Sequence, residues 1–194
     1  MRKLIGPKKI KTAVFISGKG SNLKNLIKFA KNKKYPFSVD LIFSNTKKAK
    51  GLSYSKIYKI KKKVICYDKK IKTDKKIIKI LVKKEIKLIC LAGFMKILSK
   101  KFINNFKGKV VNIHPSLLPK YKGLNTHKRA LENNEKFSGC TVHYVTPKLD
   151  SGKIIMQKKI KILKKDCSKS LKKKILRIEH EIYPKAIKKI LINP

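Results

Sequence analysis

Arginine is nearly absent from this chain, and acidic residues, paired cysteines and long apolar runs are scarce or missing. Each shortage removes a class of function. Arginine occurs only at Arg2, Arg129 and Arg177, so the other 50 of the 53 basic residues are lysines, set against ten Asp and Glu. A formal net charge of +43 suits a polyanion through counterion release. Specific nucleic-acid sites, however, lean on arginine's bidentate fork. Lysines scattered through every segment fit A/T-rich coding better, so we expect nonspecific adhesion at low salt and no specific nucleic-acid partner.

Cys66, Cys90, Cys140 and Cys167 form no C-x-x-C pair, which removes the signature of a structural zinc site or a redox motif. Free thiols in a reducing cytoplasm are the expectation. No cluster of His, Cys, Asp and Glu has metal-ligand spacing, so no metal is expected. No apolar stretch approaches about 18 residues, so no membrane span or membrane partner is expected. Residues 1–11 are basic without a useful apolar core and read as a short extension, not a secretory signal. There is no internal repeat or low-complexity linker. The 194 residues are read as that extension plus one domain over 12–194.

Strand-sized apolar runs alternate with helical patterns. Strands are expected at 12–17, 39–43, 63–66, 88–92, 110–114, 138–145 and 153–163. Helices are expected from residue 23, over 48–58, over 73–85 with Thr73 as cap, over 99–106, over 126–133, and over 168–192 with an interruption or bend at Pro184. Such a β-α-β-α order predicts an α/β doubly wound, mostly parallel open sheet of about seven strands with helices on both faces. The run 138–145 alternates and fits an antiparallel or edge strand.

Ten residues organise the rest: Val110-Val111-Asn112-Ile113-His114-Pro115-Ser116-Leu117-Leu118-Pro119. An apolar strand ending in an amide and an imidazole two positions apart puts both on one pleat face. The prolines end the ladder there, and ligands of open α/β sheets bind at the carboxyl ends of strands. His114 suits acid and base work near neutral pH, and the Asn112 amide suits an oxyanion. Asp150, in a glycine-containing loop, could orient the imidazole or merely form an Asx-turn. His143 faces the same region as a supporting group or as plain core.

Upstream, Gly18-Lys19-Gly20-Ser21-Asn22 joins the first strand to a helix. Glycines admit an anion to the backbone, Ser21 or Asn22 can cap, and the helix end favours phosphate. The third glycine of a dinucleotide loop and the acidic residue after the second strand are missing, so a phosphomonoester fits better. A plain structural turn is the alternative. The apolar run from Gly93 to Leu98 is either a packing element, the reading favoured on its own, or the wall of a flat ligand site. Glu179 is either a solvated helix residue or a contact for an amine or ribose hydroxyl.

The segments Ile16-Ser-Gly-Lys-Gly-Ser-Asn22, Leu91-Ala-Gly-Phe-Met-Lys-Ile-Leu-Ser99, Asn112-Ile-His-Pro-Ser-Leu-Leu-Pro-Lys-Tyr121 and Asp150-Ser-Gly152 resemble, in order and spacing, the phosphoribosylglycinamide formyltransferase family of de novo purine synthesis. The resemblance implies a Rossmann-like formyltransferase fold. It implies formyl transfer from the co-substrate 10-formyltetrahydrofolate to the amine of glycinamide ribonucleotide, N1-(5-phospho-D-ribosyl)glycinamide, through a tetrahedral intermediate. By the same resemblance Asn112, His114 and Asp150 act on the formyl group. Gly20, Ser21, Asn22 and Glu179 hold the ribonucleotide. Lys70, Met95, Lys96, Ile97, Leu98 and Thr146, Pro147, Lys148, Leu149 and Asp150 line the folate side, with Asn112 reaching it as well. The protein is expected to be a cytoplasmic monomer or homodimer. Lys96 departs from the family's usual arginine and Lys122 from a frequent proline, and Lys70 aligns only loosely with an arginine that meets the folate tail.

A methionyl-tRNA formyltransferase would need a further carboxyl-terminal barrel, and a formyltetrahydrofolate hydrolase an amino-terminal domain that eleven residues do not supply. A noncatalytic RNA-binding protein predicts exposed aromatics among the basic residues, whereas Tyr and Phe here sit at core-like positions.

Overall fold

The structure, a computed structural model, describes residues 9–66 and 70–192. The first strand, β1 (Ile10–Ile16), is apolar on both faces, as a strand covered on both sides must be. It begins two residues before the expected start, so Ile10 and Lys11 belong to the sheet and not to an extension. Residues 1–8 of that extension lie outside the described residues. Helix α1 (Ser21–Lys31) follows and buries Leu23, Leu26, Ile27 and Ala30, one face of a 3.6-residue period. Next come β2 (Phe37–Ser44), a 3-10 turn at Lys50–Ser53, α2 (Tyr54–Ile57) and β3 (Lys61–Val64). A single helix over 48–58 does not form. Gly51 lies against Gly20, and a Cβ on Gly51 would stand 2.9 Å from the Gly20 Cα, so this segment tightens to bring backbone against backbone.

Helix α3 (Lys70–Lys83) starts before Thr73, which is therefore a buried first-turn residue and not the cap. After it come β4 (Leu88–Leu91), α4 (Lys100–Asn105), β5 (Lys109–His114), α5 (Thr126–Glu132), β6 (Phe137–Tyr144), β7 (Ile154–Lys161) and α6 (Ser168–Ile192). The seven strands form one sheet in the order β3-β2-β1-β4-β5-β6-β7. The first five run parallel, and β6 and β7 are antiparallel additions. β6 is thus antiparallel as its alternation predicts, but interior. One edge is β3, whose Lys61, Lys62 and Lys63 are exposed and discourage edge-to-edge pairing.

Alternate residues of the central strands feed two cores. Val14, Ile16, Val111 and Ile113 pack with α1 and α6, whereas Ala13, Phe15, Ile89 and Val110 pack with α3 and α4. Pro184 does not end α6. The residue it denies a donor is His180, four positions back, and the His180 carbonyl instead accepts from Asn25 Nδ2 at 2.6 Å. Tyr183 beside it is fully buried and donates its hydroxyl to the Leu91 carbonyl at 2.9 Å, tying α6 under the central strands. None of the described helices is long and apolar enough to cross a membrane.

Candidate active site

The order of strands reverses at β1 and β4, and their carboxyl ends make the crevice where such sheets bind ligands. The loops leaving them are joined: Ser17 N–H donates to the Gly93 carbonyl at 3.1 Å, and Met95 N–H to Ser17 Oγ at 2.8 Å. Sequence reasoning gave Ser17 no role, and only its place at a strand end marks it.

Gly20 is the N-cap of α1, with φ 74°, in the left-handed region where glycine is favoured. Ser21 and Asn22 lie inside the helix, so neither caps it, and no side chain takes the cap position. The expected cap is thereby corrected: a capping side chain must precede the helix, and a glycine there leaves the first amide donors open to an anion. Asn22 Nδ2 donates to Glu179 Oε2 at 2.7 Å. Glu179 is buried, not solvated, and burial pushes its carboxyl up to about 7, offset in part by the Asn22 donor.

That shift makes a stability statement. The native state holds a proton on Glu179 that the unfolded chain releases near 4.5, so this contribution is present below that pH and is lost as pH rises toward 7. Glu179→Gln is expected to match the parent near pH 4 and to exceed it by about 3 kcal/mol at pH 8, read by denaturant melts at both pH values. Equal stability of the two proteins at pH 8 would overturn this.

The second cluster forms at the end of β5. Asn112 is half-buried, whereas His114 is 5% exposed. In the antiparallel register His143 of β6 stands directly opposite Asn112, a cross-strand pair on one face. His143 Nδ1 faces the Tyr144 carbonyl at 2.8 Å and must carry the proton, so Nε2 accepts from Asn112 Nδ2 at 3.2 Å. Burial pushes the His143 pKa down, in keeping with this neutral tautomer. One amide hydrogen of Asn112 is thereby held and the other is left for a ligand oxygen.

His114 Nε2 stands 2.9 Å from the Tyr121 carbonyl, to which it donates, and Nδ1 stands 3.4 Å from Asp150 Oδ2. Asp150 Oδ1 lies 3.8 Å from His143 Nε2, and Oδ2 accepts the Gly123 N–H at 2.9 Å. Asp150 itself takes φ 44°, a strained conformation of the kind that clusters at functional sites. The β6-β7 connection leaves the sheet beside Val111, because Tyr144 pairs there, and doubles back over the strand to bring Asp150 to His114.

Sequence reasoning also missed the lock on the turn after His114. Thr141 Oγ1 donates to the Ser116 carbonyl at 2.7 Å and accepts from Leu118 N–H and Gln157 Nε2 at 3.1 and 2.8 Å. No local signal marks Thr141, since β6 pairs with β5 only in three dimensions.

The apolar loop after β4 divides its residues. Phe94 packs edge-on against Phe15 at 5.4 Å and Leu98 is buried, whereas Met95 and Ile97 are 65% and 56% exposed. It is a packing element by one set of residues and an open apolar surface by the other. Lys96 is exposed there, and Thr146, Pro147, Lys148 and Leu149 are exposed in the β6-β7 connection. Lys70 opens α3, and its side chain lies outside the described residues. Among the described residues no group of three or more His, Cys, Asp and Glu could hold a metal ion.

The profile of the formyl transferase family matches residues 10–187. The chain is 39% identical over 183 residues to the trifunctional purine biosynthetic protein adenosine-3 of Homo sapiens, covering 93% of this chain but only 18% of that protein. It is 39% identical over 181 residues to the phosphoribosylglycinamide formyltransferase of Haemophilus influenzae, covering 92% of this chain and 85% of the other. The crystal structure of phosphoribosylglycinamide formyltransferase from Brucella melitensis superposes with a TM-score of 0.89 at 38% identity, covering 94% and 96% of the two chains.

Proposed function

The chain belongs to the formyl transferase family, and from that premise we propose that it transfers the formyl group of 10-formyltetrahydrofolate to the amine of glycinamide ribonucleotide. The observation that carries the reading is the convergence of Asn112, His114 and Asp150 from β5 and the β6-β7 connection, with His114 Nδ1 3.4 Å from Asp150 Oδ2. The amine attacks the formyl carbon, the carbonyl oxygen takes the negative charge, and the bond to the folate nitrogen then breaks. The amine's proton ends on that nitrogen. The free Asn112 amide hydrogen stabilises the oxyanion. His114, held by Nε2 on the Tyr121 carbonyl and with Nδ1 3.4 Å from Asp150 Oδ2, stabilises the oxyanion beside Asn112 and shuttles the amine's proton toward the folate nitrogen.

Gly20, Ser21 and Asn22 offer an uncapped helix end to the phosphate. Glu179, hydrogen-bonded to Asn22, lies where the ribonucleotide extends. Met95, Lys96 and Ile97, with residues 146–149, present the exposed surface assigned to the folate, and the largely buried Asp150 borders it. Leu98 contributes backbone only, and Lys70 is assigned to the folate tail. Phosphate loop and formyl-handling groups share one sheet, which supports a single domain that begins with β1 at Ile10, two residues before the expected start. One chain supplies all of them, which suits a monomer or homodimer, and four free thiols suit the cytoplasm.

The test is release of deformylated folate by the purified protein with glycinamide ribonucleotide, with water alone, and with methionyl-tRNA. Release that requires the ribonucleotide is expected. Equal release without it would make the protein a hydrolase and end the reading.

A further inference from the structure

The sparse arginines offer a filter. Arg129 is one of three arginines in a chain whose other 50 basic residues are lysines, and its contacts converge on one loop beside the site. From α5 its Nη1 donates to the Lys122 carbonyl at 2.8 Å and reaches the Leu124 carbonyl at 3.4 Å. Its guanidinium carbon lies 5.1 Å from the centroid of the Tyr121 ring, a cation-π contact. The Tyr121 hydroxyl donates in turn to Glu135 Oε1 at 2.8 Å.

The segment so gripped needs holding. Tyr121, Gly123 and Asn125 all take positive φ, at 54°, 78° and 57°, and two of the three pay for the left-handed region with a Cβ. This segment also faces the site twice. The Tyr121 carbonyl accepts from His114 Nε2, and the Gly123 N–H donates to Asp150 Oδ2. The Lys122 carbonyl and the Gly123 N–H are the two ends of one planar peptide unit. Arg129 therefore pulls on one end of the peptide that presents its other end to Asp150.

We propose that Arg129 is a positioning residue for formyl transfer: it fixes the Lys122-Gly123 peptide, and through it the donor on Asp150 and the acceptor for His114. The proposal rests on the reading that His114 and Asp150 act on the formyl group. Both carbonyls are met from the single Nη1, so a lysine ammonium could bond one or both, but it is a compact point charge without the planar guanidinium that lies over the Tyr121 ring.

The experiment compares R129K and R129Q with the parent and with R177K, a change at an exposed arginine of α6. Three readouts are taken: kcat and KM for both substrates, hydrogen exchange of the Gly123 amide, and the melting temperature. We expect kcat to fall about 10- to 100-fold in R129Q, the range for losing hydrogen bonds to charged groups, and less in R129K. KM should change less than about twofold, Gly123 protection should drop, and R177K should behave as the parent. Unchanged kcat and unchanged Gly123 protection in R129Q overturn the proposal. Loss that appears in KM, or only as a lower melting temperature, also overturns it, since that is a merely structural role. If the parent transfers nothing while R129Q still frees the Gly123 amide, the functional reading has failed and the link to transfer falls with it, whereas the hold on Asp150 stands.

Discussion

His114→Ala is expected to lower kcat for formyl transfer by about 10³- to 10⁴-fold, the upper part of what a positioned acid-base group supplies. The size of the effect follows from where both ring nitrogens are held. Nε2 donates to Tyr121 and Nδ1 faces Asp150, so the ring is fixed and no neighbouring side chain can swing in to replace it. His143 is the nearest imidazole, but its Nδ1 is committed to Tyr144 and its Nε2 to Asn112. Removing the buried ring leaves a cavity costing about 1–3 kcal/mol, well within what a domain tolerates. Melts of parent and variant would show that the protein is folded at assay temperature. Retention of more than about a tenth of the parent kcat would remove His114 from the chemistry and leave Asn112 and the bound geometry to account for the rate.

Gly152→Ala carries the second large expectation, at a position that touches no reacting group. A Cβ on Gly152 would stand 1.8 Å from the Tyr144 carbonyl oxygen, and that backbone cannot retreat. Tyr144 N–H is bonded to the Lys153 carbonyl and Val145 N–H to the Val110 carbonyl, so the new methyl must move the connection that carries Asp150. We expect a destabilisation of about 2 kcal/mol, typical of overpacking, and a fall in kcat of about 100-fold or more as Asp150 leaves His114. In an Asp150→Ala background the same glycine change should cost little further kcat, because the two act through one carboxylate. Additive losses would show that Gly152 matters for another reason.

Much of the architecture was readable because the signals are local. The doubly wound sheet follows from strand-sized apolar runs alternating with helical stripes, and all seven strands lie where those runs predict them to within a few residues. The errors fall where a distant segment intervenes. A helix over 48–58 tightens because Gly51 meets Gly20, and α6 passes through Pro184 because Asn25 takes the carbonyl that the proline leaves free. Period-2 reasoning put Asn112 and His114 on one face, and the prolines marked the strand end.

The sequence by itself determined what is encoded within a few residues: strand periodicity, the glycine loop opening α1, and an amide and imidazole on one pleat face. Tertiary structure alone decided which partners those groups meet. Asp150 reaches His114 only because the β6-β7 connection folds back across the sheet, and His143 meets Asn112 only through the β5-β6 register. Glu179 becomes a buried carboxyl because α6 closes against α1, 157 residues from Asn22. The physical reason is the range of the forces: backbone sterics and hydrophobic periodicity act between near neighbours and can be read along the chain. Hydrogen bonds, burial and charge instead depend on distances in space that exist only once the sheet is formed.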